Sequence, residues 1–63
     1  MNNEPEYISV SEASKIIKVG KDTIYKLAKQ PGFPCVKIGK RYIINKGKLF
    51  EWVESHEGKE IIL

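Results

Sequence analysis

Cysteine and histidine are scarce in this sequence, since Cys35 and His56 are the single examples of each among 63 residues. One cysteine excludes a disulfide within the chain, and the two residues together are too few for a zinc site of four Cys or His ligands. No uninterrupted apolar run is longer than Tyr42–Ile44, far short of the roughly 18 residues of a membrane span. We therefore expect no cofactor, no metal and no membrane contact.

The chain is also too short to form a large hydrophobic core. A domain of 63 residues buries only about 60% of the surface that its unfolded chain exposes, which leaves little space for the deep pocket of most enzymes. Neither Cys35 nor His56 has neighbours in sequence that complete a catalytic set. The first residues lack the pattern of a signal peptide. We expect one domain over residues 1–63 that is not an enzyme and is cytoplasmic.

Basic residues are plentiful, and they are concentrated in the middle of the chain. Residues 1–12 carry three Glu (−3), residues 13–50 carry ten Lys or Arg and one Asp (+9), and residues 51–63 carry four Glu and one Lys (−3). A basic segment between two acidic ends is typical of a surface that binds a polyanion. The alternative is a set of solvated lysines, as on many small domains.

Two short helices are predicted in the first half of the chain. Ser9 precedes Glu12 by three residues, the spacing of a capping box, so a helix should begin at about Val10. The pair Val19–Gly20 interrupts the apolar pattern, which resumes in a second helix over about 21–29. Apolar positions 24, 27 and 28 of this second helix face inward, and its other side chains therefore face outward. These are Asp22, Tyr25, Lys26 and Lys29, with Thr23 on the flank.

A β-hairpin and a third helix are predicted next. Prolines at positions 31 and 34 end the second helix. The strands Cys35–Ile38 and Arg41–Ile44 flank Gly39–Lys40, which suits a type II′ turn with a basic tip. Asn45 can cap a helix whose apolar stripe contains Leu49, Trp52 and Val53. We expect residues 1–6 to be a loose N-terminus and residues 58–63 to form a C-terminal tail.

This order of elements resembles the small winged helix-turn-helix domains of the excisionase family, which are related to the DNA-binding heads of mercury-resistance regulators. The resemblance rests on four sequence blocks at residues 7–14, 19–26, 36–42 and 49–53. It implies an α+β fold, a small winged helix-turn-helix of three helices with a two-stranded β-hairpin wing between helices 2 and 3. In the family, the second helix enters the DNA major groove and the wing meets the adjacent minor groove and backbone.

Carried over by position, the resemblance implies contacts from the second helix and from the tip of the wing. Gly20 stands where the family usually has a Ser or Thr cap, and Asp22 where Ser or Pro is common. Asp22 either accepts a hydrogen bond from a cytosine amino group or stabilises a helix start that Gly20 caps poorly. The positions implied at the groove are Lys21, Thr23, Tyr25 and Lys26, and those at the wing tip are Lys40 and Arg41.

Three basic residues, one of them at the wing tip, have alternative interpretations from their chemistry. Arg41 suits a narrow minor groove or a bidentate phosphate contact, or else its charge discourages pairing of strands between molecules. Lys46 and Lys48 oppose the helix dipole at the start of the third helix, so either a phosphate compensates them or both point into solvent. The complete predicted DNA-binding set is Lys21, Asp22, Thr23, Tyr25, Lys26, Lys29, Lys40, Arg41, Lys46 and Lys48.

The function expected from these features is non-enzymatic, sequence-specific binding of double-stranded DNA. The resemblance narrows it to an excisionase that bends DNA and assists an integrase in excising a mobile element. A small transcriptional regulator of a phage or mobile element is an alternative, as are a module that binds an acidic protein and a single-strand RNA binder. The expected partners are double-stranded DNA and an integrase or further copies of the chain. The tail Ile61–Leu63 either contacts such a partner, packs on its own domain or is disordered.

Overall fold

The structure, a computed structural model, describes residues 6–63. Its elements are strand β1 (Tyr7–Ile8), helix α1 (Val10–Ile16), helix α2 (Lys21–Ala28), strand β2 (Cys35–Ile38), strand β3 (Arg41–Asn45) and helix α3 (Lys46–Ser55). None of the helices within the described residues is long and apolar enough to cross a membrane. The loose N-terminus expected for residues 1–6 lies outside the described part, except for Glu6. The carbonyl of Glu6 accepts a hydrogen bond from the backbone N–H of Lys46 at 2.8 Å.

Helix α1 begins at Val10, as predicted, because a capping box forms at its start. The backbone N–H of Glu12 donates to Ser9 Oγ at 3.1 Å, and the backbone N–H of Ser9 donates to Glu12 Oε1 at 3.2 Å. Lys18, the residue after the C-cap Ile17, has a φ of +60°, and the N–H of Val19 donates to the carbonyl of Ser14 at 3.0 Å. This is a Schellman-type closure in which a lysine occupies the position that usually holds glycine.

Helix α2 follows after a four-residue connection, residues 17–20, which confirms the predicted pair of helices separated by a tight turn. Gly20 is its N-cap with extended backbone, and it provides no side-chain hydrogen bond. Ile24 and Leu27 are buried and direct the opposite side of the helix toward solvent. The helix ends at Ala28, before the prolines that flank Phe33.

The hairpin forms with the predicted register, in which Ile38 pairs with Arg41 and Cys35 pairs with Ile44. Gly39 has a φ of +61° and Lys40 does not have a positive φ, the pattern of a type II′ turn. The predicted two-stranded hairpin is therefore present, and the sheet contains one further strand that was not predicted: β1 pairs antiparallel with β3, giving the strand order β1-β3-β2. The added strand is two residues long and depends on the edge of β3 for its hydrogen bonds.

Helix α3 follows β3 directly and contributes Leu49 to the core. Asn45 caps it as predicted, since its Oδ1 accepts from the backbone N–H of Lys48 at 3.0 Å. Phe33 is buried and meets Trp52 of α3 edge-on, with ring centroids 5.0 Å apart. The side chains that make up the core come from every helix, from β1 and β3 and from the loop between α2 and β2, and they are Ile8, Val10, Ala13, Ile24, Leu27, Phe33, Ile44 and Leu49.

The last residues of the chain divide into a packed part and an exposed part. Ile61 packs against the core, and Gln30 Nε2 donates a hydrogen bond to the carbonyl of Ile62 at 3.2 Å. The side chains of Ile62 and Leu63 are 81% and 55% exposed. Two helices joined by a tight turn, followed by a hairpin and a third helix, make up the predicted α+β winged helix-turn-helix fold.

Candidate nucleic-acid interface

The outward face of α2 is polar and mainly basic, because the core takes its apolar side chains. Asp22, Tyr25, Lys26 and Lys29 are exposed, as the helical pattern predicts, and Thr23 is half-buried on the flank. Asp22 lies in the first turn of the helix, where a negative charge suits the helix dipole and partly replaces the side-chain cap that Gly20 does not offer. The α2 face therefore presents cations to solvent along most of its length.

The hairpin β2–β3, which we call the wing, carries a second group of cations at its tip. Lys40 lies in the turn and Arg41 is the first residue of β3, and both are exposed. The positive φ of Gly39 makes the two-residue turn possible and thereby places these two side chains next to each other at the end of the hairpin. Their position depends on the turn and not on packing against the core.

An open groove of about 460 Å³ brings the α2 face and the wing tip together. We call it the wing groove. Lys21 and Tyr25 line it from α2, because residues four apart share a helix face, and Lys40 and Arg41 line it from the wing. Residues 7–12, Tyr42 and Ile43 complete the lining. Four of the predicted site residues thus face one continuous surface.

Glu12 is the acidic side chain in the lining of the wing groove. Its carboxylate accepts from the backbone N–H of Ser9 and lies 3.3 Å from Ser9 Oγ, so it is held at the start of α1. A carboxylate that accepts a capping-box hydrogen bond is directed toward the start of α1. Among the described residues it forms no ion pair with the cations of the wing groove.

Lys46 and Lys48, at the start of α3, lie apart from the wing groove. Lys46 Nζ is 3.7 Å from Glu6 Oε1, so a carboxylate from the residue before β1 compensates its charge. Lys48 lines a separate, smaller groove of about 200 Å³ together with Val36 and Asn45. Only Tyr7 borders both grooves, among the residues that line them.

Most of the cations are available to an external anion. Within residues 6–63, the pair formed by Lys46 and Glu6 is the only ion pair. Lys21, Lys26, Lys29, Lys40 and Arg41 therefore have no carboxylate partner among the described residues. A free ammonium or guanidinium group in solvent is ready to displace counterions from a polyanion.

Cys35 and His56, the two residues that could act in catalysis or metal binding, are both packed against other parts of the domain. Burial raises the pKa of the Cys35 thiol, and its Sγ lies 3.6 Å from the carbonyl oxygen of Ala28. The His56 ring lies against the Trp52 ring, with centroids 4.4 Å apart and a tilt of 37°, and its Nδ1 lies 2.8 Å from the Trp52 carbonyl oxygen. Within the described part of the chain, no group of three or more His, Cys, Asp or Glu side chains is placed to hold a metal.

Lys37 and Tyr42 stand outside the predicted set of site residues, yet both lie beside it. The Lys37 Nζ is 5.6 Å from the centroid of the Tyr42 ring, and that ring meets the Tyr25 ring of α2 edge-on at 5.8 Å. The register of the hairpin, which pairs Lys37 with Tyr42, follows from the two-residue turn and is readable in the sequence. What the sequence does not give is the packing of Tyr42 against α2.

Comparison with known proteins agrees with this arrangement. The sequence model of the family described as "Helix-turn-helix domain" matches residues 7–57, from β1 to just beyond α3. No curated protein and no solved structure is significantly similar to the chain. The matched region contains the two helices, the wing and the whole lining of the wing groove. The chain belongs to the helix-turn-helix domain family, a DNA-binding and non-catalytic kind of domain.

Proposed function

We propose that this protein binds double-stranded DNA with sequence preference, α2 lying in the major groove and the wing lying against the adjacent minor groove and backbone. The observation that carries the proposal is the wing groove, where Lys21 and Tyr25 of α2 share one surface with Lys40 and Arg41 of the wing. A helix fits the major groove, which is about 12 Å wide, and the wing then reaches the bordering strand. We also propose that the protein is located in the cytoplasm, together with the DNA that it binds.

The exposed side chains of α2 are suited to two kinds of contact, with base edges and with phosphates. Lys26 and Lys29 are exposed and reach either a phosphate oxygen or the acceptor edge of guanine. Tyr25 and Thr23 offer a hydroxyl and an apolar body to a phosphate or a thymine methyl group. Asp22 stabilises the first turn of the helix. Specificity then arises from the combination of these contacts, since none of them distinguishes all four bases alone.

The start of α3 is an additional point of contact in the proposal. The backbone N–H groups there and the side chain of Lys48 can address one phosphate. Lys46 reaches the same region only when it leaves Glu6, 3.7 Å away. Because an ion pair in solvent stabilises a protein by only about 0–1 kcal/mol, a phosphate can replace that carboxylate. We therefore assign Lys48 the stronger role of the two.

The salt dependence of binding tests the proposal. We expect a mixed-sequence duplex to bind with a log–log slope of affinity against salt near −4.5, because about five cations each release counterions with a slope of roughly −0.9. Fluorescence anisotropy with labelled duplex, from low to moderate salt, measures this slope. Tighter binding to single-stranded RNA than to duplex would instead favour the RNA alternative. An affinity that does not change with salt would contradict the proposed DNA binding and would favour the protein-interaction module.

We propose further that the DNA-binding role is that of an excisionase. The support is the resemblance of four sequence blocks to that family, together with the small size of the interface. One module of this size covers only about 600–1,000 Å² of its own surface on DNA, so repeated sites or partners are needed for tight discrimination. The exposed side chains of Ile62 and Leu63 provide an apolar contact for an integrase or for a neighbouring copy.

An excision assay with a shortened chain distinguishes the excisionase role from its alternative. A variant that lacks residues 62–63 should bind a single DNA site with unchanged affinity and should support less excision by the integrase. DNA bending in the complex, measured by the mobility of circularly permuted sites, should be present with both proteins. Binding near a promoter with a change in transcription, and no effect on excision, would favour the transcriptional regulator. Equal excision with the full-length protein and with the shortened variant would contradict a contact between residues 62–63 and the integrase or a neighbouring copy.

A further inference from the structure

Three side chains connect α2 with the inner side of the wing. The Tyr25 ring of α2 meets the Tyr42 ring of β3 at a centroid distance of 5.8 Å and an interplanar angle of 70°. This edge-on arrangement is the favourable one for two aromatic rings. The Nζ of Lys37 lies over the Tyr42 ring at 5.6 Å from its centroid, within the range in which a cation is attracted to an aromatic face.

The register of the sheet explains why these groups lie on the side of the wing that faces α2. Cys35 pairs with the buried Ile44, and Lys37 pairs with Tyr42 one repeat further along the hairpin. Residues two apart on a strand share a face, so Lys37 and Tyr42 continue the face that packs on the core. Beyond the end of the core this face is open, and Tyr25 is the helix residue that meets it.

We propose that Tyr42 is a positioning residue that sets the angle between the wing and α2, and that Lys37, held over its ring, is a further phosphate-binding residue. This inference rests on the proposed DNA-binding function. With α2 in the major groove and the wing on the adjacent groove, the strand that borders the two grooves passes between them. An ammonium group on the inner side of the wing meets the phosphates of that strand. Without the ring, the long side chain of Lys37 samples many directions.

The contact itself is testable without DNA. The face of an aromatic ring shields protons above it, so the NMR signals of the Lys37 ε-methylene group should lie upfield of those of an ordinary lysine. Y42F keeps the ring and should keep the upfield shift, whereas Y42L should lose it. Circular dichroism checks whether Y42L is folded. If Y42L is unfolded, the test relies on the unmodified protein and Y42F. An ordinary Lys37 ε-methylene shift in the unmodified protein or in Y42F would overturn the proposed positioning.

Binding to duplex DNA tests the role of Lys37. K37Q should reduce the affinity for a mixed-sequence duplex by about eightfold at 0.1 M salt, and should lower the magnitude of the salt slope by about 0.9, because one phosphate contact is lost. Lys59 is an exposed lysine in the acidic segment 51–63, so K59Q is the matched control and should change neither quantity. Y42L should weaken binding, and K37Q should have less effect in the Y42L background than alone.

The possible failures are distinguishable. If the unmodified protein binds the duplex and K37Q binds it with the same affinity and slope, Lys37 is not at the interface and the inference is overturned, while the proposed function stands. If K37Q and K59Q weaken binding equally, the effect is one of net charge, which overturns the assigned position of Lys37. If the unmodified protein does not bind duplex DNA, the proposed function and this inference both fail.

Discussion

Arg41→Ala is expected to weaken binding to every DNA duplex by about eightfold or more and to lower the magnitude of the salt slope by about one. Arg41 is the only arginine in the sequence, it is exposed, and it lines the wing groove beside Lys40. A guanidinium group on a wing fits a narrow minor groove or binds one phosphate through two parallel hydrogen bonds. Fluorescence anisotropy over a series of salt concentrations measures both quantities.

Arg41→Lys separates charge from geometry at the same position. The lysine keeps the positive charge, so the salt slope should stay close to that of the unmodified protein. It lacks the planar fork of donors, so any preference for A·T-rich sites that depends on the minor groove should fall. Equal affinity and equal site preference for the arginine, lysine and alanine proteins would contradict the proposed role of the wing.

The alternative role of Arg41, as a charge that prevents strands of two molecules from pairing, predicts a different result. β1 pairs with β3 only at Ile44 and Asn45, so the part of β3 that holds Arg41 has no neighbour on that side. If Arg41 acts only there, Arg41→Ala should leave DNA affinity unchanged and increase self-association. Sedimentation velocity of the variant, measured beside DNA binding, therefore decides between the two roles.

Lys26→Ala is the companion measurement on α2. Lys26 is exposed on the helix face and does not line the wing groove. Loss of affinity for all sequences alike would assign it to a phosphate, and a change in site preference would assign it to a base edge. Taken with Arg41→Ala, the two variants test whether α2 and the wing contact one duplex.

The parts of the fold that the sequence predicts are those with local causes. The start of α1 depends on Ser9 and Glu12, three residues apart, and the start of α3 depends on Asn45 and the N–H of Lys48. The hairpin register follows from a glycine at the first position of a two-residue turn. Each of these signals lies within four residues of the structure that it determines, so the hydrogen bonds can be inferred from the order of residues alone.

The parts that the sequence does not predict have distant causes. β1 has only two residues, too few for a recognisable strand pattern, and it forms because β3 offers an unpaired edge. The ion pair of Lys46 with Glu6 depends on that same pairing, which brings residue 6 to the start of α3. The contact of Tyr42 with Tyr25 depends on how the wing packs against α2. In each case the partners are far apart in the chain and meet only in the folded protein.

A similar argument applies to the candidate site. The helical periodicity of α2 and the turn at Gly39 predict which cations are exposed, and the structure agrees for Lys26, Lys29, Lys40 and Arg41. Neither pattern predicts that Lys48 lines a different groove from Arg41. Charge and periodicity give the exposure of a residue, whereas the distances between elements decide which residues share one surface.

Ile44→Ala is expected to destabilise the domain by about 2–5 kcal/mol and to leave a large fraction unfolded at room temperature. Ile44 is completely buried on the central strand, where it pairs with Ile8 on one side and Cys35 on the other. Its removal leaves a cavity at the junction of the sheet and the helices. Because a domain of this size is stabilised by only about 3–5 kcal/mol in total, the loss approaches the whole free energy of unfolding.

Ile38→Ala is the matched control, since it removes the same atoms from a residue of the same hairpin. Ile38 is 60% exposed near the turn, so its replacement should cost less than about 0.5 kcal/mol. Urea denaturation followed by circular dichroism and by Trp52 fluorescence measures both variants, with DNA binding recorded at the same protein concentration. Ile44→Ala should lose DNA binding together with structure, and Ile38→Ala should keep both. Similar unfolding free energies for the two variants would contradict the prediction that burial of Ile44 is a main source of the stability of the domain.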